Sequence, residues 1–147
     1  MKKRRRAREL ALQAIYAIEI AANPKATVIS DIGKMEEDEE IVRFAVKLFE
    51  TVLEHGESVD KEVMSVVENW DFERIALLDR LILRLALSEL LYFEEIPPKV
   101  TINEAIDLAK KFSTAQSGRF VNGILDSLYQ KYKSEKGLVK RGRGLIE

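Results

Sequence analysis

A chain of 147 residues is long enough to bury a core without covalent or metal staples. It has no cysteine and a single histidine, His55, which excludes disulfides, thiolate metal sites and histidine-rich zinc or iron clusters. The formal net charge of −1 conceals basic ends around an acidic middle, and a polyanion responds to such a local patch rather than to the sum.

Lys2, Lys3, Arg4, Arg5, Arg6 and Arg8 crowd the start. Behind them Ala7, Leu10, Ala11, Ala14, Ile15, Ile18 and Ala21 recur at three- and four-residue intervals, predicting an amphipathic helix that Asn23-Pro24 ends. Positive charge at a helix N-terminus opposes the macrodipole by about 0.3–1 kcal/mol per charge, and an anionic partner is one candidate for what offsets it. Residues 25–34 read as a loop in which Val28, Ile29 and Ile32 could tuck a short turn onto the core, and the acidic run MEEDEE follows from Met35 to Glu40. Ile41, Phe44, Ala45, Leu48, Phe49 and Val52 predict a second helix that His55-Gly56 stops. Ser58 is then placed to cap a third, with Val59, Val63, Val66 and Val67 inward and Trp70 near its end. Asp71 is expected to cap a short turn through Ile75.

The stretch Leu77–Phe93, LLDRLILRLALSELLYF, is apolar on nearly all sides, with Arg80, Arg84 and Ser88 as a narrow polar stripe. That pattern belongs to a helix in the middle of a bundle. A membrane span is excluded because Asp79, Arg80, Arg84 and Glu89 would all have to enter hydrocarbon. Arg80 and Arg84 are expected to meet Asp79 or Glu89, or to reach a partner. Pro97-Pro98 ends this helix, and T-I-N-E from Thr101 reads as a capping box with Glu104 reaching back. Ile102, Ala105, Ile106 and Ala109 give the fifth helix its inward side. Ser113 and Ser117 offer caps in the connection that follows. Phe120, Val121, Ile124, Leu125, Leu128, Tyr129 and Tyr132 then line the last helix.

No strand pattern and no repeat interrupts this series, so the fold class is all-α with six or seven helices. An N-terminal bundle over 1–70 and a C-terminal bundle over 71–133 are expected to form one cooperative unit, followed by a basic flexible tail over 134–147. There is no phosphate loop, nucleophile elbow, metal-spaced histidine pair or dinucleotide fingerprint. Neither catalysis nor a cofactor is expected, and with no secretory signal pattern the expected location is cytoplasmic.

Four stretches together resemble a known family: RRRARELALQAIYAIE (Arg4–Glu19), LDRLILRLALSELLY (Leu78–Tyr92), IPPKVTINEAIDLAKKF (Ile96–Phe112) and SGRFVNGILD (Ser117–Asp126). In this order they resemble the bacterial transcription antitermination factor NusB over nearly the whole chain. The resemblance implies two packed, roughly perpendicular helical bundles. It also implies a non-enzymatic factor that binds the boxA element of ribosomal RNA leader transcripts with ribosomal protein S10 (NusE), and that joins other Nus factors on RNA polymerase. Relatives include monomers and self-associating forms. The competing reading is a protein-only helical adaptor or homodimer whose basic start adds solubility.

Arginines and lysines neutralise phosphates, and arginine also stacks on unstacked bases, so the basic helix start suits a single strand. Arg4, Arg5, Arg6 and Arg8 match the family's arginine-rich RNA-binding start, with Lys2 and Lys3 beside them. The resemblance adds Asp79, Gln116 and Phe120 to the RNA-facing residues, although helical spacing alone puts Phe120 in the core. A neutral amide at Gln116, where relatives are often acidic, removes repulsion from phosphate. For the S10 surface the candidates are Tyr92, Phe93, Ile96, Lys99 and Val100, beside the stiff Pro-Pro turn.

Overall fold

The computed structural model describes residues 2–67, 75–135 and 137–146. It contains α1 (Lys2–Glu19), α2 (Lys25–Met35), α3 (Glu39–Val66), α4 (Leu77–Tyr92), α5 (Pro98–Phe112) and α6 (Ala115–Glu135), with a short 3-10 turn at Gly142–Leu145. The chain is therefore all-α, as its periodicity predicts. Trp70 and the Asp71 cap lie outside the described residues. No helix among the described residues is long and apolar enough to cross a membrane. The chain forms two compact units, Met1–Glu54 and His55–Glu147.

In the first unit, Ala7, Leu10, Ala11, Ala14 and Ile15 form the buried face of α1. The expected loop over 25–34 is instead the helix α2. Val28 and Ile32, two of the three residues expected to tuck a turn onto the core, are its buried side chains, but a pair one turn apart is too thin a period to announce a whole helix. Asp38 caps α3: its Oδ1 accepts the Glu40 backbone N–H at 2.9 Å.

The stop expected at His55-Gly56 does not occur, for α3 runs unbroken from Glu39 to Val66. A glycine inside a helix costs about 1 kcal/mol relative to alanine. Buried apolar residues on both sides of it, Leu48, Phe49 and Val52 and then Val59 and Val63, outweigh that cost. Ser58 caps nothing; its hydroxyl donates to the His55 carbonyl at 3.0 Å within the same helix.

The second unit packs α4, α5 and α6 together. Leu81, Ile82, Leu83, Leu87 and Leu90 of α4 are at most 1% exposed, as the middle of a bundle requires. Arg84 finds a two-pronged partner in Asp60 of α3: Nε donates to Oδ1 at 2.8 Å and a terminal nitrogen to Oδ2 at 2.7 Å. The apparent capping box at Thr101 is a different device. Pro97 occupies the N-cap position and Pro98 begins α5, so Thr101 is already inside the helix. Its hydroxyl donates to the buried Glu89 carboxylate of α4, and Glu104 is itself buried. Thr114, rather than Ser113 or Ser117, caps α6, its Oγ1 accepting the Ser117 N–H at 3.0 Å.

The tail, expected to be flexible, is tied to the corner between α4 and α5. Lys140 Nζ donates to the Phe93 carbonyl at 3.0 Å, and the Arg141 N–H donates to the Glu94 carbonyl at 3.0 Å. The Arg141 guanidinium pairs with the Glu94 carboxylate at 2.9 Å. Gly144 lies so close that a Cβ there would collide with the Glu94 carbonyl oxygen. These contacts are polar or made by backbone, and an apolar period could not announce them.

Candidate nucleic-acid interface

In the first unit, Lys2, Lys3, Arg4 and Arg5 are exposed on the first turns of α1, and Arg6 is half-buried. That start contains no acidic residue. Phe44 of α3 holds it down: the Arg4 guanidinium lies 5.1 Å and the Arg8 guanidinium 5.6 Å from the ring centroid. Arg8 is 3% exposed, which corrects its place among the RNA contacts. An arginine that deep positions α1 rather than meeting a strand in solvent. Phe44 was missed because nothing local pairs it with Arg8.

The charge opposite this start comes from the chain's own acidic run. Lys3 Nζ is 2.8 Å from Glu40 Oε2 and 3.1 Å from Asp38 Oδ2. Arg6 Nε is 3.5 Å from Glu36 Oε1, and another Arg6 nitrogen is 3.8 Å from Glu9 Oε1. Hydrogen bonds to Glu40 and Asp38 hold the Lys3 ammonium above its usual range, while Lys3 holds the Asp38 and Glu40 carboxyls below theirs. The helix-dipole conflict at α1 is thus offset internally as well.

In the second unit, Asp79, Gln116 and Phe120 share one cleft of about 200 Å³ with Ile75, Ala76, Thr114 and Ser117. Gln116 is exposed and Phe120 half-buried, so the ring stands at an edge rather than in the core that its spacing suggested. Asp79 is 6% exposed, with Oδ2 accepting the Ser117 hydroxyl at 3.2 Å. Its Oδ1 is buried without a hydrogen-bond partner among the described residues. Burial pushes this carboxyl above the usual carboxylate range, and the Ser117 hydroxyl only partly opposes the shift. The cleft offers an aromatic edge at Phe120 and an exposed amide at Gln116, groups that suit a splayed base, with the Asp79 carboxyl largely buried beside them.

A raised folded-state pKa favours the protonated form, so Asp79's contribution to stability is present at low pH and lost as pH rises through that pKa. Asp79→Asn is therefore expected to raise the thermal midpoint at neutral pH, with the gain disappearing below about pH 4. Thermal melts of both proteins from about pH 3 to about pH 8 check this. A gain that grows as pH falls would contradict the assignment.

The proposed S10 set divides by burial. Phe93 is 1% and Ile96 0% exposed, so both are core side chains and are withdrawn from any docking surface. Tyr92 is 41% exposed and stacks on His55, with centroids 3.8 Å apart and planes 14° apart. Lys99 is exposed and Val100 half-buried. Lys99 also borders a shallow cleft of about 320 Å³ with Ile102, Asn103, Asp126, Tyr129 and Lys133. No group of carboxylates and histidine that could hold a metal ion occurs among the described residues.

The model of the NusB family matches residues 5–130. The transcription antitermination protein NusB of Salinibacter ruber is 40% identical over 148 residues, covering 99% of this chain and 92% of that protein. A solved structure of T. maritima NusB superposes with a TM-score of 0.78 at 34% identity, over 90% of this chain and 96% of the other. A structure of the antitermination factors NusB and NusE in complex with double-stranded RNA gives a TM-score of 0.81 at 25% identity, over 90% and 99% of the two chains.

Proposed function

The chain belongs to the NusB family, whose members are non-enzymatic RNA-binding antitermination factors, and on that premise we propose which RNA and which protein it engages. It binds the boxA element of ribosomal RNA leader transcripts as a single strand, together with ribosomal protein S10 (NusE). The pair then joins other Nus factors on RNA polymerase and supports processive transcription. The observation that carries this reading is the group of accessible cations on the first turns of α1, held on a rigid helix by Phe44. A helix of this kind presents charge at fixed positions, which a disordered basic tail cannot do. The cleft at Asp79, Gln116 and Phe120 supplies base contacts, and S10 docks on the surface that includes Tyr92, Lys99 and Val100. The solved complex of a relative with NusE and RNA supports the pairing of partners, although its RNA is double-stranded.

Competition binding tests the proposal, with S10 present and boxA, scrambled and double-stranded RNAs compared at several salt concentrations. The expected result is preference for single-stranded boxA, with log affinity falling linearly with log salt by about 0.7 per phosphate contact. Equal affinity for boxA and scrambled strands after S10 is added would favour a protein-only adaptor instead.

A further inference from the structure

The cations that would meet RNA are not waiting in water. Lys3 and Arg6 are occupied by Asp38, Glu40 and Glu36 from the connection between α2 and α3 and the first turn of α3. We infer that this acidic segment is an internal competitor for the phosphate backbone, lying against the cations until RNA displaces it. The inference deepens the RNA reading above and rests on it.

Three features support displacement over a fixed structural tie. First, the Lys3 pairs are accessible, with the Lys3 side chain 56%, Asp38 33% and Glu40 70% exposed, while Glu36 beside the 39% exposed Arg6 is more enclosed at 21%. Exposed pairs of this kind hold weakly and exchange with competing anions. Second, the segment is itself a short polyanion, with Glu36, Glu37, Asp38, Glu39 and Glu40 in succession. Third, the carboxylates keep other supports when the cations leave. Asp38 Oδ1 caps α3 through the Glu40 N–H, and Glu40 lies in the first turn of α3, where the dipole favours negative charge. Opening the contact therefore need not unravel α3.

The same arrangement has a consequence for salt. Added salt weakens RNA binding but also weakens the internal pairs, so the two effects partly cancel and the salt dependence is shallower than the number of cations implies.

The test uses the full chain carrying Asp38→Asn and Glu40→Gln, with a fluorescent single-stranded boxA RNA and a scrambled strand as probes. Asparagine retains the α3 cap, so the variant should fold. The expected result is about tenfold tighter binding of both strands near 0.05 M salt, a steeper salt slope than the native chain, and convergence of the two proteins near about 1 M, where the screening length is about 3 Å. Glu57→Gln with Glu135→Gln removes the same charge elsewhere, and a gain equal to that of the first variant would reduce the effect to net charge and overturn the inference. Unchanged affinity in the Asp38/Glu40 variant, with the native protein binding boxA, would overturn the competitor and leave the RNA reading standing. Absence of RNA binding by any of these proteins would overturn the RNA reading and this inference with it.

A second measurement needs no variant. Carboxyl NMR titration of the native protein should show the Asp38 and Glu40 pKa values rising when RNA is added, because Lys3 has been taken by phosphate. Unmoved titrations in a saturated RNA complex would show that the pairs persist and that the segment does not compete.

Discussion

Replacing Lys2, Arg4 and Arg5 together by glutamine is expected to weaken single-stranded boxA binding about a hundredfold at 0.1 M salt, and to leave thermal unfolding nearly in place. Each phosphate contact on a single strand contributes about 0.7 to the slope of log affinity against log salt. Three contacts contribute about 2.1, which between 1 M and 0.1 M salt amounts to about two powers of ten. These residues are chosen because all three are exposed, whereas Arg8 is buried beside Phe44 and its loss would confound binding with packing. Arg4 also lies over Phe44, so a drop in the midpoint of a few degrees is expected from about 0.5–1 kcal/mol of cation–π contact. Fluorescence titration over a salt series, paired with thermal melts, checks both parts. A salt slope identical to that of the native protein would remove these side chains from the interface.

Thr101→Val is expected to have the largest effect on stability among polar replacements in the second unit. The change keeps the shape of the side chain but removes the hydroxyl that donates to Glu89, whose side chain is 2% exposed. A hydrogen bond to a buried charged group is worth about 1.5–3 kcal/mol, and the valine variant loses the one that Thr101 gives to Glu89. For a chain of this size that corresponds to a fall of about 5–10 °C in the melting midpoint. Loss of a threonine N-cap would cost only about 1 kcal/mol. Thr101→Ser, which keeps the hydroxyl, should recover most of the loss in the same melts. Equal midpoints for the valine and serine variants would refute the tie to Glu89.

What was legible in the chain follows the strength of local signals. The run from Leu77 made α4 legible because an apolar surface on nearly every side belongs in the middle of a bundle, but α4 stops at Tyr92 before the prolines are reached, and Pro97-Pro98 start α5 rather than end α4. The reading of α3 failed at Gly56 because the cost of a glycine is local, whereas the burial of Val59 and Val63 that overrides it is tertiary. Thr101 failed for a related reason: T-I-N-E satisfies a capping pattern, but the prolines before it had already started the helix. At the candidate interface, the basic start was evident, as was the acidic run. That Asp38 and Glu40 would meet Lys3 could have been suspected from their opposite charge, whereas the burial of Arg8 and Asp79 depends on packing that no short motif encodes.

The segment that follows residue 130 lies beyond the span matched by the family model, and yet position 144 within it admits no side chain at all. Drift in this appendage is thus constrained by a single peptide oxygen across from it. Any replacement of Gly144 would push the C-terminus away from the bend before Pro97, and the Glu94 carbonyl would exchange the Arg141 N–H for water.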